Sequence, residues 1–245
     1  LVAVGRQALK ANTTASNNIA IGLDALLANT TGNSNIAIGS CSLVDNTEGT
    51  GNSAVGRHAL ANNTTADYNT AIGYDSLFTN TTGHSNTAVG FNTMCVNTTG
   101  DCNVAIGKDA LDSNTEGDCN TAIGTDALQA NTTALQNTAI GSRALFTNTT
   151  GSNNTAVGAR SLEANLTGEN NIGIGSCSML NTTTGSANIA IGKVAMCCNT
   201  EGDNNTAIGH IALRANTTAD NNTAIGSSAL TANTTGAGNV AVGAT

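Results

Sequence analysis

The sequence predicts an all-β fold, a parallel β-solenoid or β-roll of about 14 coils with 17 residues per coil. Three observations predict it: a glycine at a fixed spacing, large apolar residues at fixed offsets from it, and turn chemistry between them. The glycines are Gly5, Gly22, Gly39, Gly56, Gly73, Gly90, Gly107, Gly124, Gly141, Gly158, Gly175, Gly192, Gly209, Gly226 and Gly243, always 17 residues apart with no insertion or deletion. Ile or Val precedes each of them, and Leu or Met follows four residues later, as at Leu9, Leu60, Met94 and Met196. Asn stands four residues before the glycine from Asn18 to Asn239. The intervening N-T-T-G and N-T-E-G segments carry Asn and Gly, which tolerate left-handed backbone and cap nearby amides.

The elements follow in order along the unit. Helical repeats need about 33 to 47 residues, and Gly, Asn and Thr are poor helix formers. A T-A-I-G segment such as Thr70 to Gly73 reads as a short strand. Alternation puts the Ile/Val column on the same face as the mixed Thr/Ile/Val column two residues earlier, and this face is expected to point into the coil. The Leu/Met column supplies a second large apolar residue. Two short strands and two turns per coil are expected, stacked in register about 4.8 Å apart, which makes a rod of roughly 65 to 70 Å. A lone coil buries too little to hold its backbone, so stacking is obligatory. Stacked identical residues then form Asn and Thr ladders.

A second set of columns is small. The residue two before the glycine is Ala except at Gly173, and the residue three after it is Ala, Ser or Thr. Two readings stand. Either the Ala column points outward and allows close approach of another chain, as in a trimer, or the coil is flattened and both small columns are internal.

Composition narrows the functional classes. The repeat makes residues 1–245 one continuous array. The chain holds 8 Lys and Arg against 16 Asp and Glu, so there is no basic stripe for nucleic acid or an anionic membrane surface. No apolar run is long enough for a membrane span and no signal peptide is visible. Neither end reads as a polar cap, so the array is expected to be an excerpt of a longer fibre protein.

Units such as NTAIGYDSLFTNTTGHSNTAVG, from Asn69 to Gly90, resemble the repeats of phage tail-fibre-like and bacterial surface-fibre proteins. Their N-x-A-[I/V]-G-x-x-[A/S] core is also similar to the head repeats of trimeric autotransporter adhesins (YadA-like). The resemblance covers the whole chain. It implies a left-handed parallel β-roll, a homotrimer, a surface or glycan ligand, and a place outside the cell or on a cell or virion surface.

Candidate chemistry is sparse, and no catalytic residue, metal ligand or cofactor is expected. His58, His84 and His210 fall in three different columns. Asp67, Asp101, Asp118, Asp203 and Asp220 share one column, which raises weak calcium binding against a solvated surface. Seven cysteines leave at least one unpaired within the chain. Cys102 and Cys119 share a column in adjacent coils, within reach of a disulfide. Cys197 and Cys198 are chain neighbours, and Cys41, Cys95 and Cys177 have no partner in their columns. Asn12, Asn29, Asn63, Asn80, Asn97, Asn131, Asn148, Asn165, Asn216 and Asn233, with Asn181 shifted by one, form N-x-T acceptors. They read either as a row of N-glycosylation sites or as Asn turns with a Thr ladder. Glu48, Glu116 and Glu201 replace the second Thr while Asn and the first Thr stay, which favours the turn.

Three functional classes remain. The first is a non-catalytic shaft or adhesive head of an extracellular fibre, which self-associates and is bare or glycan-decorated. The second is an ice- or crystal-binding solenoid with a regular Thr surface. The third, a polysaccharide-processing spike, needs a groove with acidic or aromatic residues that an array without insertions does not build.

Overall fold

A computed structural model describes residues 1–244, which form two compact units, Leu1–Asn120 and the remainder from Thr121. Each unit is a parallel β-solenoid. The first carries β1 (Val2–Val4), β2 (Ile19–Ile21), β3 (Ile36–Ile38), β4 (Ser53–Val55), β5 (Thr70–Ile72), β6 (Thr87–Val89) and β7 (Val104–Ile106). The second carries β8 (Thr121–Ile123), β9 (Thr138–Ile140), β10 (Thr155–Val157), β11 (Ile172–Ile174), β12 (Ile189–Ile191), β13 (Thr206–Ile208), β14 (Thr223–Ile225) and β15 (Val240–Val242). Within a unit each strand pairs only with its neighbours in sequence, and every residue pairs with its equivalent one repeat on, as Ala71 does with Ala88.

Each coil has one strand of three residues, not two strands. The Leu-bearing half is a run of turns because left-handed residues interrupt any pleat. The second residue after the glycine has φ of 50 to 63°, the Leu or Met has φ of 48 to 54°, and the residue before the next Asn column, where not Gly, has φ of 56 to 61°. Such a conformation costs a non-glycine residue about 1–2 kcal/mol. Inter-coil hydrogen bonds hold it in place: Leu77 N–H donates to Thr93 O at 3.0 Å, and Thr79 N–H donates to Cys95 O at 3.0 Å.

The strand faces are opposite to the expectation. Ala20, Ala37, Ala54, Ala71, Ala88 and Ala105 are fully buried, while Ile21, Ile38, Val55, Ile72 and Ile106 are 36 to 42 % exposed. Both small columns are therefore internal, as the flattened coil requires, and the Ile/Val column is external. Gly173 shows why. A Cβ built there would lie 2.7 Å from Ser161 Oγ and 3.3 Å from Leu162 Cδ1. Opposite Ser161 there is no room even for a methyl group, and at the other rungs the column is a buried Ala. The close approach that keeps this column small is the opposite wall of the same coil, and not a second chain.

The rest of the interior is polar and ordered. The Asn four before the glycine accepts the next equivalent backbone N–H on its Oδ1, as Asn69 does from Asn86 at 2.9 Å. Its Nδ2 donates to a turn carbonyl one coil on, Gly83 O at 2.8 Å. The second Asn column also supplies that carbonyl. Asn80 Nδ2 donates to Gly83 O at 2.9 Å and to Asn63 Oδ1 at 3.1 Å. Two Asn ladders thus share one row of carbonyls, and the buried polar groups are paired apart from Asp24 Oδ1, Ser76 Oγ and one break in the second ladder.

The second ladder breaks once. Thr182 stands where Asn is the rule, and both Thr182 Oγ1 and Asn165 Oδ1 are buried without a partner. Thr182→Asn is expected to restore bonds to Asn165 Oδ1 and Gly185 O and to raise stability by about 1–3 kcal/mol. The midpoint of urea unfolding reads this, and an unchanged or lowered midpoint would count against the ladder.

Candidate functional site

The outward strand face is the most regular surface of each unit. Ile or Val ends every strand, and Thr, Ile, Val or Ser begins it on the same side. The neighbouring rungs shield these side chains in part and leave the exposed apolar stripe described above. Over seven rungs it is roughly 30 Å long and on the order of 300 Å². The second unit repeats it at Ile140, Ile174, Ile191, Ile208 and Ile225.

The N-x-T asparagines lie mostly inside. Asn29, Asn63, Asn80, Asn97, Asn131, Asn148, Asn165 and Asn216 are fully buried. Where the ladder is drawn in full, as at Asn80, one Nδ2 gives both of its hydrogens to neighbours. A glycan there would replace a bonded hydrogen inside the coil and has no room. Asn12 and Asn233 are half-buried, and only the shifted Asn181 is exposed. Four further N-x-T matches, Asn62, Asn153, Asn204 and Asn221, each precede a second asparagine. The last three of these are exposed at left-handed turn positions.

The aspartate column acts on the backbone. Asp67 Oδ1 accepts Thr50 N–H at 2.7 Å, Asp118 Oδ1 accepts Asp101 N–H at 2.7 Å, and Asp220 Oδ1 accepts Asp203 N–H at 2.8 Å. His84 joins the same row, accepting Asp67 N–H on Nδ1 at 2.9 Å. These side chains cap the preceding rung. No cluster of three or more His, Cys, Asp or Glu able to hold a metal occurs among the described residues. His58 Nδ1 lies 3.0 Å from Asp75 Oδ1. No hydrogen bond to a His210 side-chain atom occurs among the described residues.

The seven cysteines are free thiols. Cys102 and Cys119 sit exposed at the same turn position on adjacent rungs. Desolvation, then Cys102 and the carboxylates of Asp118 and Asp101, push the Cys119 thiol up. Burial, followed by Asp112, Asp75 and Asp109, raises Cys95 to about 11. Burial and the adjacent Cys198, whose Sγ is 3.6 Å away, raise Cys197 to about 11. Thiolate attack from Cys95 or Cys197 at neutral pH is thereby suppressed.

Two surface clusters break the regularity. In the first unit Tyr74 and Phe91 stack at 5.5 Å, and Arg57 lies over the other side of the pair, 5.4 Å from the Tyr74 centroid. In the second unit a cavity of about 270 Å³ is lined by Arg143, Phe146, Thr147, Arg160, Glu163, Ala164, Leu180 and Asn181. Arg143 Nη2 lies 2.8 Å from Glu163 Oε1, and Arg160 Nε donates to Glu163 Oε2 at 2.5 Å. The Arg143 guanidinium also stacks over Phe146 at 4.4 Å. The signal for both was present in the sequence: Tyr74 and Phe91, like Arg143 and Arg160, are 17 residues apart and share a column.

Fold and surface together define a parallel β-solenoid with a tandem repeat, a polar interior ladder and an apolar outer stripe. No helix among the described residues is long and apolar enough to cross a membrane. No protein-family model, curated protein or solved structure matches the chain.

Proposed function

We propose that this chain is a non-catalytic structural solenoid that self-associates into an extracellular fibre, on a cell or virion surface, for adhesion or coating. The observation that carries it is the outward Ile/Val column, exposed at most rungs of each unit and half-buried at Val89, Ile123 and Val157. A column that could vary freely in solvent stays apolar in all fifteen strands. Contiguous exposed apolar surface of this kind is what association buries. The similarity of the N-x-A-[I/V]-G core to trimeric adhesin heads points to three chains and to a place outside the cell.

Sedimentation equilibrium of the full chain tests the reading. The wild type is expected to sediment as a trimer at high micromolar concentration. The triple variant Ile38→Lys, Ile72→Lys and Ile106→Lys is expected to be monomeric with unchanged circular dichroism, because the three positions are exposed and not adjacent. A monomeric wild type overturns the proposal.

One observation favours a second reading. Thr70 and Thr87 begin strands that end in Ile72 and Val89, so hydroxyl and methyl groups alternate on one outward face. Seven of the fifteen strands begin with Thr. An ice- or crystal-binding surface uses such spacing, and a monomeric wild type showing thermal hysteresis would favour it over the fibre.

A further inference from the structure

We propose that the cavity around Glu163 is a binding site for a carboxylate-bearing sugar residue, such as the uronic acid of an acidic polysaccharide. It lies on the turn side of the second unit, away from the Ile/Val face, and does not depend on self-association.

The charge comes first. Two guanidiniums flank one carboxylate, so the cluster is net positive on a chain of formal net charge −8. Glu163 is only 7 % exposed and spends both oxygens on Arg143 and Arg160. Each arginine has five donors in a planar fork and gives a minority of them to Glu163. Their side chains remain 44 and 51 % exposed and line the cavity, so donors not spent on Glu163 are open to solvent there. The buried carboxylate holds the two forks in place for a second carboxylate, which planar bidentate donors suit. Asp126 stands one rung beyond Arg143 in the same column and forms no ion pair with it among the described residues.

The remaining walls select a ring. Ala164 and Leu180 give an apolar lining suited to the C–H face of a pyranose, while Phe146 carries the Arg143 guanidinium on one face. Asn181 is exposed at the rim, and its carboxamide makes no hydrogen bond among the described residues, which leaves it free for a hydroxyl. The volume is close to the lower bound of small-molecule pockets, about 300 Å³.

The repeat itself departs from its rule here. The ladder asparagine moves one place, from 182 to 181, and the interior loses its bond to Asn165. The stability given up inside puts an amide on the rim of the cavity, and function-bearing sites are where such local rules are broken.

Methyl glucuronide titrated into the full chain and followed by amide NMR tests this, with methyl glucoside as the neutral ring and acetate as the ringless anion. The glucuronide is expected to shift resonances around residues 143–181, with both controls at least about tenfold weaker. Arg160→Ala is expected to weaken glucuronide binding about tenfold or more. Asn181→Ala, which leaves the ion triad intact and the fold unburdened, is expected to weaken it several-fold. Arg57→Ala, in the first unit, is expected to leave it unchanged. No glucuronide binding at millimolar concentration, equal binding of either control, or unaltered binding by Asn181→Ala overturns the site.

Discussion

Replacing Gly90 by Ala is expected to unfold the first unit locally or lower its stability by more than about 3 kcal/mol. Two costs add. Gly90 has φ of +145°, a backbone region that L residues rarely enter. A Cβ there would also lie 2.5 Å from Gly107 O and 2.6 Å from Thr93 Oγ1. The carbonyl belongs to the next rung and cannot retreat without opening the ladder on both sides. Gly238→Ala is the control: φ is +70° and nothing lies within 4 Å of the added carbon. Its cost should be only the left-handed penalty of about 1–2 kcal/mol. Chemical denaturation of both variants reads the difference, and similar midpoints would refute the rung-to-rung clash.

Asn86→Ala is expected to cost about 2–5 kcal/mol, with the first unit melting early and the same secondary structure below the transition. The substitution removes the Nδ2 bond to Gly100 O at 2.8 Å and the Oδ1 acceptor of Asn103 N–H at 2.9 Å. Asn103 N–H is then buried with no partner. Gly100 O keeps its other donor, Asn97 Nδ2 at 3.1 Å, so the loss falls mostly on the donor side. Asn153→Ala, at an exposed turn, should change stability by less than about 0.5 kcal/mol apart from its left-handed backbone cost. Equal effects of the two substitutions would mean the buried ladder carries no special weight.

The period, the parallel register and the pairing of like residues were legible because a constant spacing leaves no other stacking. Which strand face points inward was not. Alternation separates Ala71 from Ile72 but does not say which is enclosed, and size misleads when the coil is thin. The interior holds one Leu or Met per rung, and the space facing it holds a buried Ala, with no room for even that methyl at Gly173. The second half of the coil was misread as strand for a related reason. Leu is a poor left-handed residue, so fourteen Leu and Met residues at positive φ leave no mark in composition.

The site residues divide the same way. The N-x-T pattern was plain, but whether the amide faces water depends on the asparagine seventeen residues away in the chain, as between Asn80 and Asn63. The aspartate column was visible, and its role as a cap for the preceding rung was not, because the acceptor is read in one column and the donor belongs to the backbone. The Arg143, Arg160 and Glu163 cluster spans two columns, so a search down single columns passes over it.

The Asn ladders also give each unit a sense of direction. Oδ1 in the first ladder receives its backbone hydrogen from the later rung, and Nδ2 reaches forward to a later carbonyl as at Asn69 and Asn86, while the Nδ2 of Asn222 turns back to Asn205 Oδ1. Both polar ends of such a carboxamide therefore face the later rung. The later side of a rung thus presents carboxamide oxygens and hydrogens, and the earlier side answers with backbone N–H and carbonyl groups. Two such stacks can meet head to tail and continue the pattern, whereas head to head they would set like groups against each other. Any filament built by stacking such rungs in one direction would be polar, with two chemically distinct faces.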